Sequence, residues 1–281
     1  MLEDLRTLLE MFPKAAITGL IIAIVCSLLG VFVILKRVVF IGIALSEVAA
    51  CGIAAAMMCH IHPFLGAAAL TLATVAVLSY PFEARRLPRE AILGVVFVLA
   101  AATSILIVAK SGFGLQEVRA LLYGDLILTT DRDFAIVLAI FLPVSAYLLC
   151  FLRPTLYTFL DREAARVLGL RVVLWELLYF FALGLTVSAA SKVAGALLVF
   201  CYLVAAPSAA LLLSRKLWRV LAVAPAVAVV ATVAGLYVSF RRDLPTNQTI
   251  AVAACALLGL AALTNLLRGA ASAWLGRRQM N

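Results

Sequence analysis

The chain has 281 residues, of which 66% are hydrophobic and 13% charged, with a mean hydropathy of +1.16 and a formal charge of +9. Soluble domains run at about 45–50% apolar and about 25% charged, so this composition excludes a soluble enzyme, a disordered chain and a nucleic-acid-binding domain. What remains is a polytopic, all-α membrane protein.

The N-terminal stretch MLEDLRTLLEMFPK has no basic start and no small-residue cleavage site. Its Leu2, Leu5, Leu8, Leu9 and Phe12 recur at helical spacing, which predicts an amphipathic interfacial segment over 1–14, stopped at Pro13. A bilayer core of roughly 30 Å needs about 20 apolar residues per crossing. Runs of that length fall at 15–35, 38–58, 63–81, 91–109, 133–152, 172–190, 193–213, 217–239 and 249–267. These nine spans leave no room for an appended soluble domain, so 1–281 reads as a single transmembrane domain. Because only Ser191 and Lys192 divide the pair at 172–213, eight spans plus a broken helix is the alternative.

Cytoplasmic connections carry the excess of Lys and Arg. One set of alternate connections holds Lys36, Arg37, Arg85, Arg86, Arg89, Arg153, Arg162, Arg166, Arg171, Arg215, Lys216, Arg219, Arg268, Arg277 and Arg278. The other holds Arg6, Lys14, Lys110, Arg119, Arg132, Lys192, Arg241 and Arg242. Nine crossings then put the N-terminus outside and the C-terminus in the cytoplasm. Short basic clusters between apolar runs are topology signals rather than a nucleic-acid surface, so no nucleic-acid partner is expected.

In the second span, Glu47 lies about a third of the way in. An ionisable group at that depth is costly enough to count as a functional candidate. Cys51 is one helical turn on, and a carboxylate and a thiolate at i, i+4 can both touch a transition metal. The competing role is a Glu47 paired with a polar neighbour. Beyond this span, Cys59, His60 and His62 crowd before Pro63 at the outer mouth. They are metal-ligand types, but a turn this tight does not wrap one ion by itself, and a plain interfacial polar turn fits better. The remaining cysteines lie in or beside apolar runs with no C-x-x-C pair, which fits packing rather than a disulfide framework.

The outer loop from Lys110 to Arg132 contains ALLYGDLILTT, too short and interrupted to cross. The inner loop, 153–171, contains DREAARVLGL. Asp161 suits an N-cap, Glu163 the first turn and Gly169 a C-terminal stop. The result is a two-turn helix with Ala164 and Ala165 beside Val167 and Leu168, suited to docking on another protein or to lying in the interface. The stretch from Ser188 to Leu213 carries Lys192, Gly195 and Pro207. Small residues permit close helix approach and Pro207 frees a backbone carbonyl, as in a broken, pathway-lining helix or a tolerated kink. No G-x-x-x-x-G-K-[ST] loop is present, so the chain has no P-loop for ATP. Two neighbouring histidines assemble no catalytic set, and the chain is not expected to be an enzyme.

Taken together, LGVFVILKR, the G-x-A-L-S segment at 42–46, LLYGDLILTT, DREAARVLGL and KVAGALLVFCYLVAAPSAA resemble the integral-membrane permeases of zinc/manganese/iron-type ABC importers (type II), over nearly the whole chain. The resemblance implies a homodimer with a second permease copy, seated on two ABC ATPase subunits that hydrolyse ATP. An extracytoplasmic metal-binding protein would deliver a divalent transition-metal ion, and this chain would bind no cofactor of its own. It implies a coupling helix at Asp161–Gly169, including Glu163, Ala164 and Ala165, and a pathway-lining segment at Lys192, Gly195 and Pro207. The family's G-D-A-L-S-H-A pattern becomes Gly42-Ile43-Ala44-Leu45-Ser46-Glu47-Val48 here. Cys51 stands where many members have Pro, and Thr246-Asn247 where many have a Ser-Gly or Ala-Gly pair. These departures leave open a metal-chelate or cobalamin-type cargo. A secondary transporter coupled to an ion gradient through Glu47, or a sensing protein, stands as the rival outside the family.

Overall fold

A computed structural model describes residues 13–79, 89–111, 124 and 126–278, and among these the regular structure is entirely helical. The helices are α1 (Pro13–Leu35), α2 (Phe40–Met58), α3 (Pro63–Ser79), α4 (Arg89–Ser111), α5 (Asp131–Cys150), α6 (Leu152–Leu160), α7 (Arg162–Val167), α8 (Val172–Leu213), α9 (Leu217–Arg242) and α10 (Thr246–Arg278). One 3-10 turn, Leu126–Leu128, precedes α5.

The 42-residue α8 is not one straight rod. Gly195, at φ 74° and ψ 158°, interrupts its helical backbone. The Tyr179 hydroxyl donates to the Leu29 carbonyl at 2.6 Å. A Cβ on the adjacent Gly30 would lie 2.2 Å from the Leu203 carbonyl oxygen. Residues 179 and 203 would be roughly 36 Å apart along a straight helix, yet both meet one turn of α1. The chain therefore folds back at Gly195, giving a first arm, 172–194, and a return arm, 195–213. Seven described helices are long and apolar enough to cross a bilayer, and Pro63–Leu78 is a shorter apolar helix. Counting the two arms of α8 separately and including Pro63–Leu78 gives nine apolar helical segments among the described residues, one for each apolar run of the sequence.

Packing follows from the small residues. Pro207 has no N–H to offer the Leu203 carbonyl four residues back. Gly30 lets the backbone of α1 close on that carbonyl. On the other side of α2, Gly52 and Gly66 face each other so closely that a Cβ on either would fall within 2.4 Å of the other's carbonyl oxygen. The first arm of α8 lies along α3, with Gly184 against Val75 and Thr71 and the Ser188 hydroxyl 3.4 Å from the Ala67 carbonyl. Buried hydroxyls turn inward to their own helices, as Thr18, Ser46, Thr71, Thr186 and Thr232 each donate to the carbonyl four residues back. That removes their cost in an apolar medium.

At the element ends, Pro13 opens α1, where its fixed φ suits the first helical turn. Residues 1–12 of the predicted 1–14 segment lie outside the described residues, as do Arg85, Arg86 and residues 112–123 of the loop before α5. The inner loop also holds a helix ahead of α7, the nine-residue α6, which is too short to declare a period in the sequence. The last helix runs on to Arg278, past the apolar run ending at 267.

Substituting Gly30 by Ala is expected to destabilise the fold by about 1–3 kcal/mol through overpacking. Gly94 has open space around its Cβ position, so Gly94→Ala should stabilise by about 0.5–1 kcal/mol. Unfolding temperatures of the detergent-purified protein check both signs, and equal shifts for the two variants would contradict the close approach at Leu203.

Candidate functional site

Glu47 sits on α2 one turn beyond Ile43, and both are half-buried. The Ser46 hydroxyl is already committed to the Gly42 carbonyl at 2.9 Å, so it is not the partner that the bland alternative required. Among the described residues, Glu47 Oε2 and Ser191 Oγ are buried without a hydrogen-bond partner. Both stand out in a bundle whose other buried hydroxyls are satisfied. Cys51 is buried against Val48 and Ala100. It opens on a cavity of about 510 Å³ between α2, α3 and α4 whose lining includes Leu70, Thr74, Val96 and Thr103 but not Glu47. The carboxylate and the thiol thus share a helix face without sharing that cavity.

At the outer mouth, Cys59, His60 and His62 are exposed, with His60 in the left-handed region at φ 56°. No group of three or more His, Cys, Asp or Glu side chains converges among the described residues. Neither the turn nor the Glu47–Cys51 pair is a closed metal cage within one chain.

The fold-back at Gly195 is built by three segments. The first arm ends at Ala194, and the backbone turns away at the next residue. The Asn247 side-chain amide, itself buried, donates to the Ala194 carbonyl at 3.0 Å. Gly124, at φ +58°, crosses so near that a Cβ there would lie 2.4 Å from the Gly195 nitrogen. Lys192 forms a half-buried ion pair with Asp133, which also closes the capping box with Thr130 at the start of α5. Lys14 at the start of α1 pairs with Asp131. A cavity of about 320 Å³ lies here, lined by Gly124, Asp243, Thr246, Asn247 and Gln248 among others. Lys192, Gly195 and Pro207 are therefore parts of one fold-back. Asn247 escaped the functional reading of the sequence. Its signal was present: a carboxamide at the start of an apolar span, where a buried amide needs a partner.

At the opposite end, α7 is set by its caps. Asp161 accepts from the Glu163 and Ala164 N–H groups at 3.0 Å each. Gly169 at φ +77° ends the helix, with Leu170 N–H returning to the Ala165 carbonyl, the six-to-one bond of a glycine C-cap. Glu163, Ala164, Val167 and Leu168 are exposed, Val167 at 88%. Ala165, grouped with the docking residues from sequence, is fully buried against the bundle and anchors the helix instead.

The profile of the ABC 3 transport family matches residues 8–265. The manganese transport system membrane protein MntC of Halalkalibacterium halodurans is 27% identical over 267 residues, covering 94% of this chain and 91% of that protein. The chelated iron transport system membrane protein YfeC of Yersinia pestis is 29% identical over 238 residues, covering 84% and 80% respectively. The solved structure of PsaBC from Streptococcus pneumoniae in complex with Fab aligns with a TM-score of 0.83 at 20% identity, covering 93% of this chain and 95% of that one.

Replacing Asn247 by Ala leaves the Ala194 carbonyl without its amide donor. A buried acceptor stripped of its partner costs about 1–3 kcal/mol. The expected result is a lowered unfolding temperature together with faster modification of a cysteine introduced at Ala194, and unchanged values in both would contradict the capping role.

Proposed function

The chain belongs to the ABC 3 transport family, and from that premise we propose that it is the permease subunit of an ABC importer for a divalent transition-metal ion, with Mn²⁺ as the first candidate and Fe²⁺ the second. The names of its relatives, for manganese and for chelated iron transport, support that cargo class. The observation that carries the pathway is Glu47 Oε2, a buried carboxylate oxygen with no protein partner. A carboxylate held in a bilayer without a partner is expensive, and a passing cation supplies the missing charge.

Where the family commonly has Asp and His, this chain has Ile43 and Glu47. One hard carboxylate with a single thiol a turn away is an incomplete coordination set. That suits passage, because a site on a pathway must release what it binds. Carboxylate oxygen favours Mn²⁺ and Fe²⁺ over softer ions. The Cys59–His60–His62 turn, by contrast, has only its ligand types to recommend it.

The two ends of the bundle divide the work. The N-terminus and the end holding Lys14, Asp131, Lys192 and Asn247 face outward, where an extracytoplasmic binding protein delivers the ion. The basic residues of the opposite end set it in the cytoplasm. There the exposed face of α7 (Glu163, Ala164, Val167 and Leu168) docks on a partner ATPase. Two ATPases serve a permease homodimer. ATP is hydrolysed by those partners, and this chain binds no cofactor. Closure of the ATPases displaces α7, and alternating access carries the ion past Glu47 and the fold-back at Gly195.

In the complex reconstituted with its ATPases and binding protein, Glu47→Gln should lower Mn²⁺ uptake about tenfold or change the preference among Mn²⁺, Fe²⁺ and Zn²⁺ while the subunits still assemble. Uptake and preference identical to the parent would remove Glu47 from the pathway. The pair Val167→Asp and Leu168→Asp should abolish co-purification of the ATPase, since it puts two charges into an apolar contact. Retention of the ATPase would move the docking site elsewhere.

A further inference from the structure

The inner end of the bundle contains a charge cluster that the transport pathway does not use. Glu176 lies in the second turn of the first arm of α8. Its Oε1 pairs with Lys36, just past the end of α1, and its Oε2 lies 3.6 Å from Arg162, the first residue of α7. The Lys36 and Glu176 side chains are each only 14% exposed, whereas Arg162 is 46% exposed. The Lys36 ammonium also sits 4.6 Å from the Phe159 ring centroid on α6 and 5.3 Å from that of Phe180 on α8. The aromatic cluster of Phe32, Phe159, Tyr179 and Phe180 closes the other side. One carboxylate thus joins three elements: the short cytoplasmic helix, the end of α1 and the root of the fold-back.

We propose that Glu176 is the positioning residue through which displacement of α7 reaches the transmembrane bundle, an inference that rests on the assignment of α7 as the ATPase-docking helix. A six-residue helix capped at both ends and seated on Ala165 moves as a body. Its charged link into the bundle among the described residues is the Arg162 arm of Glu176. From Glu176 the first arm of α8 runs without a break to Ala194, roughly 27 Å away, where the outer junction with Asn247 stands. Through Lys36 the same carboxylate holds the connection that opens α2, the helix of Glu47. Half-enclosed charges at this site are weakly screened, and removing one partner strands the others, so the three elements shift together rather than separately.

The test uses the full complex of permease, ATPases and binding protein in proteoliposomes, and reads Mn²⁺ ions taken up per ATP hydrolysed. Glu176→Gln keeps size and shape, and should lower that ratio about tenfold while the ATPases still co-purify. Arg162→Ala should lower it as well. The double variant should fall no further than Glu176→Gln, because both changes break one link. A damaged but still coupled complex lowers uptake and hydrolysis together and leaves the ratio where it was. A parental ratio in Glu176→Gln, a parallel fall in both rates, or losses that multiply in the double variant would each overturn the proposal. Should Glu176→Gln fail to assemble, Arg162→Ala carries the test through its largely solvated side chain, with a lowered ratio supporting the link and a parental one refuting it. The parental complex separates the two claims: if it captures no ATPase, the permease assignment itself fails, independently of Glu176.

Discussion

A helix that reverses within an apolar medium leaves backbone groups that lipid cannot satisfy, and the bundle is arranged around one such reversal. At Gly195 the first arm of α8 ends on the Ala194 carbonyl, which Asn247 takes up from the start of α10. Twelve residues on, Pro207 withholds an N–H from the Leu203 carbonyl, and α1 answers with a glycine that lets its backbone close on that oxygen. These two contacts tie α1, α10 and both arms of α8 together. Neither can be lost without exposing an unsatisfied carbonyl in the membrane interior. The ion pair of Lys192 with Asp133 then fixes the outer end of the fold-back to α5.

Against this background of satisfied groups, the exceptions acquire meaning. Buried Ser and Thr hydroxyls donate within their own helices. Glu47 Oε2 and Ser191 Oγ do not find partners. One sits on α2 and the other beside the fold-back, the two elements to which the family resemblance assigns the pathway. At the inner end the logic is reversed. Glu176 there is fully engaged, with one oxygen for each of two cations from different elements.

Much of the fold was legible because membrane insertion is a local, compositional demand. Every long helix among the described residues was visible as an apolar run. The caps of α7 were visible in Asp161 and Gly169, whereas Gly195 and Pro207 by residue type alone fitted a tolerated kink as well as the break that the structure shows. What stayed hidden depends on contacts between distant residues. Nothing local marks Gly30 as the partner of Leu203, or Lys36 as the partner of Glu176. Asn247 was noticed as a departure from the family pattern, but its role became clear only when the Ala194 carbonyl lay 3.0 Å away. Ala165 shows the same limit at smaller scale, since a six-residue helix does not declare which face it buries. The Cys59–His60–His62 turn is the opposite case, ligand types without convergence.

The central claim is that this chain moves a divalent metal ion by coupling to ATP hydrolysis in partner subunits, rather than by an ion gradient acting through Glu47. Uptake of Mn²⁺ into proteoliposomes decides it most directly, comparing permease with ATPases, loaded binding protein and ATP against permease alone under a proton or sodium gradient. The account predicts uptake that requires ATP, both partners and the permease together, and none from the gradient alone. Gradient-driven uptake by the permease without its partners, indifferent to ATP, would contradict it.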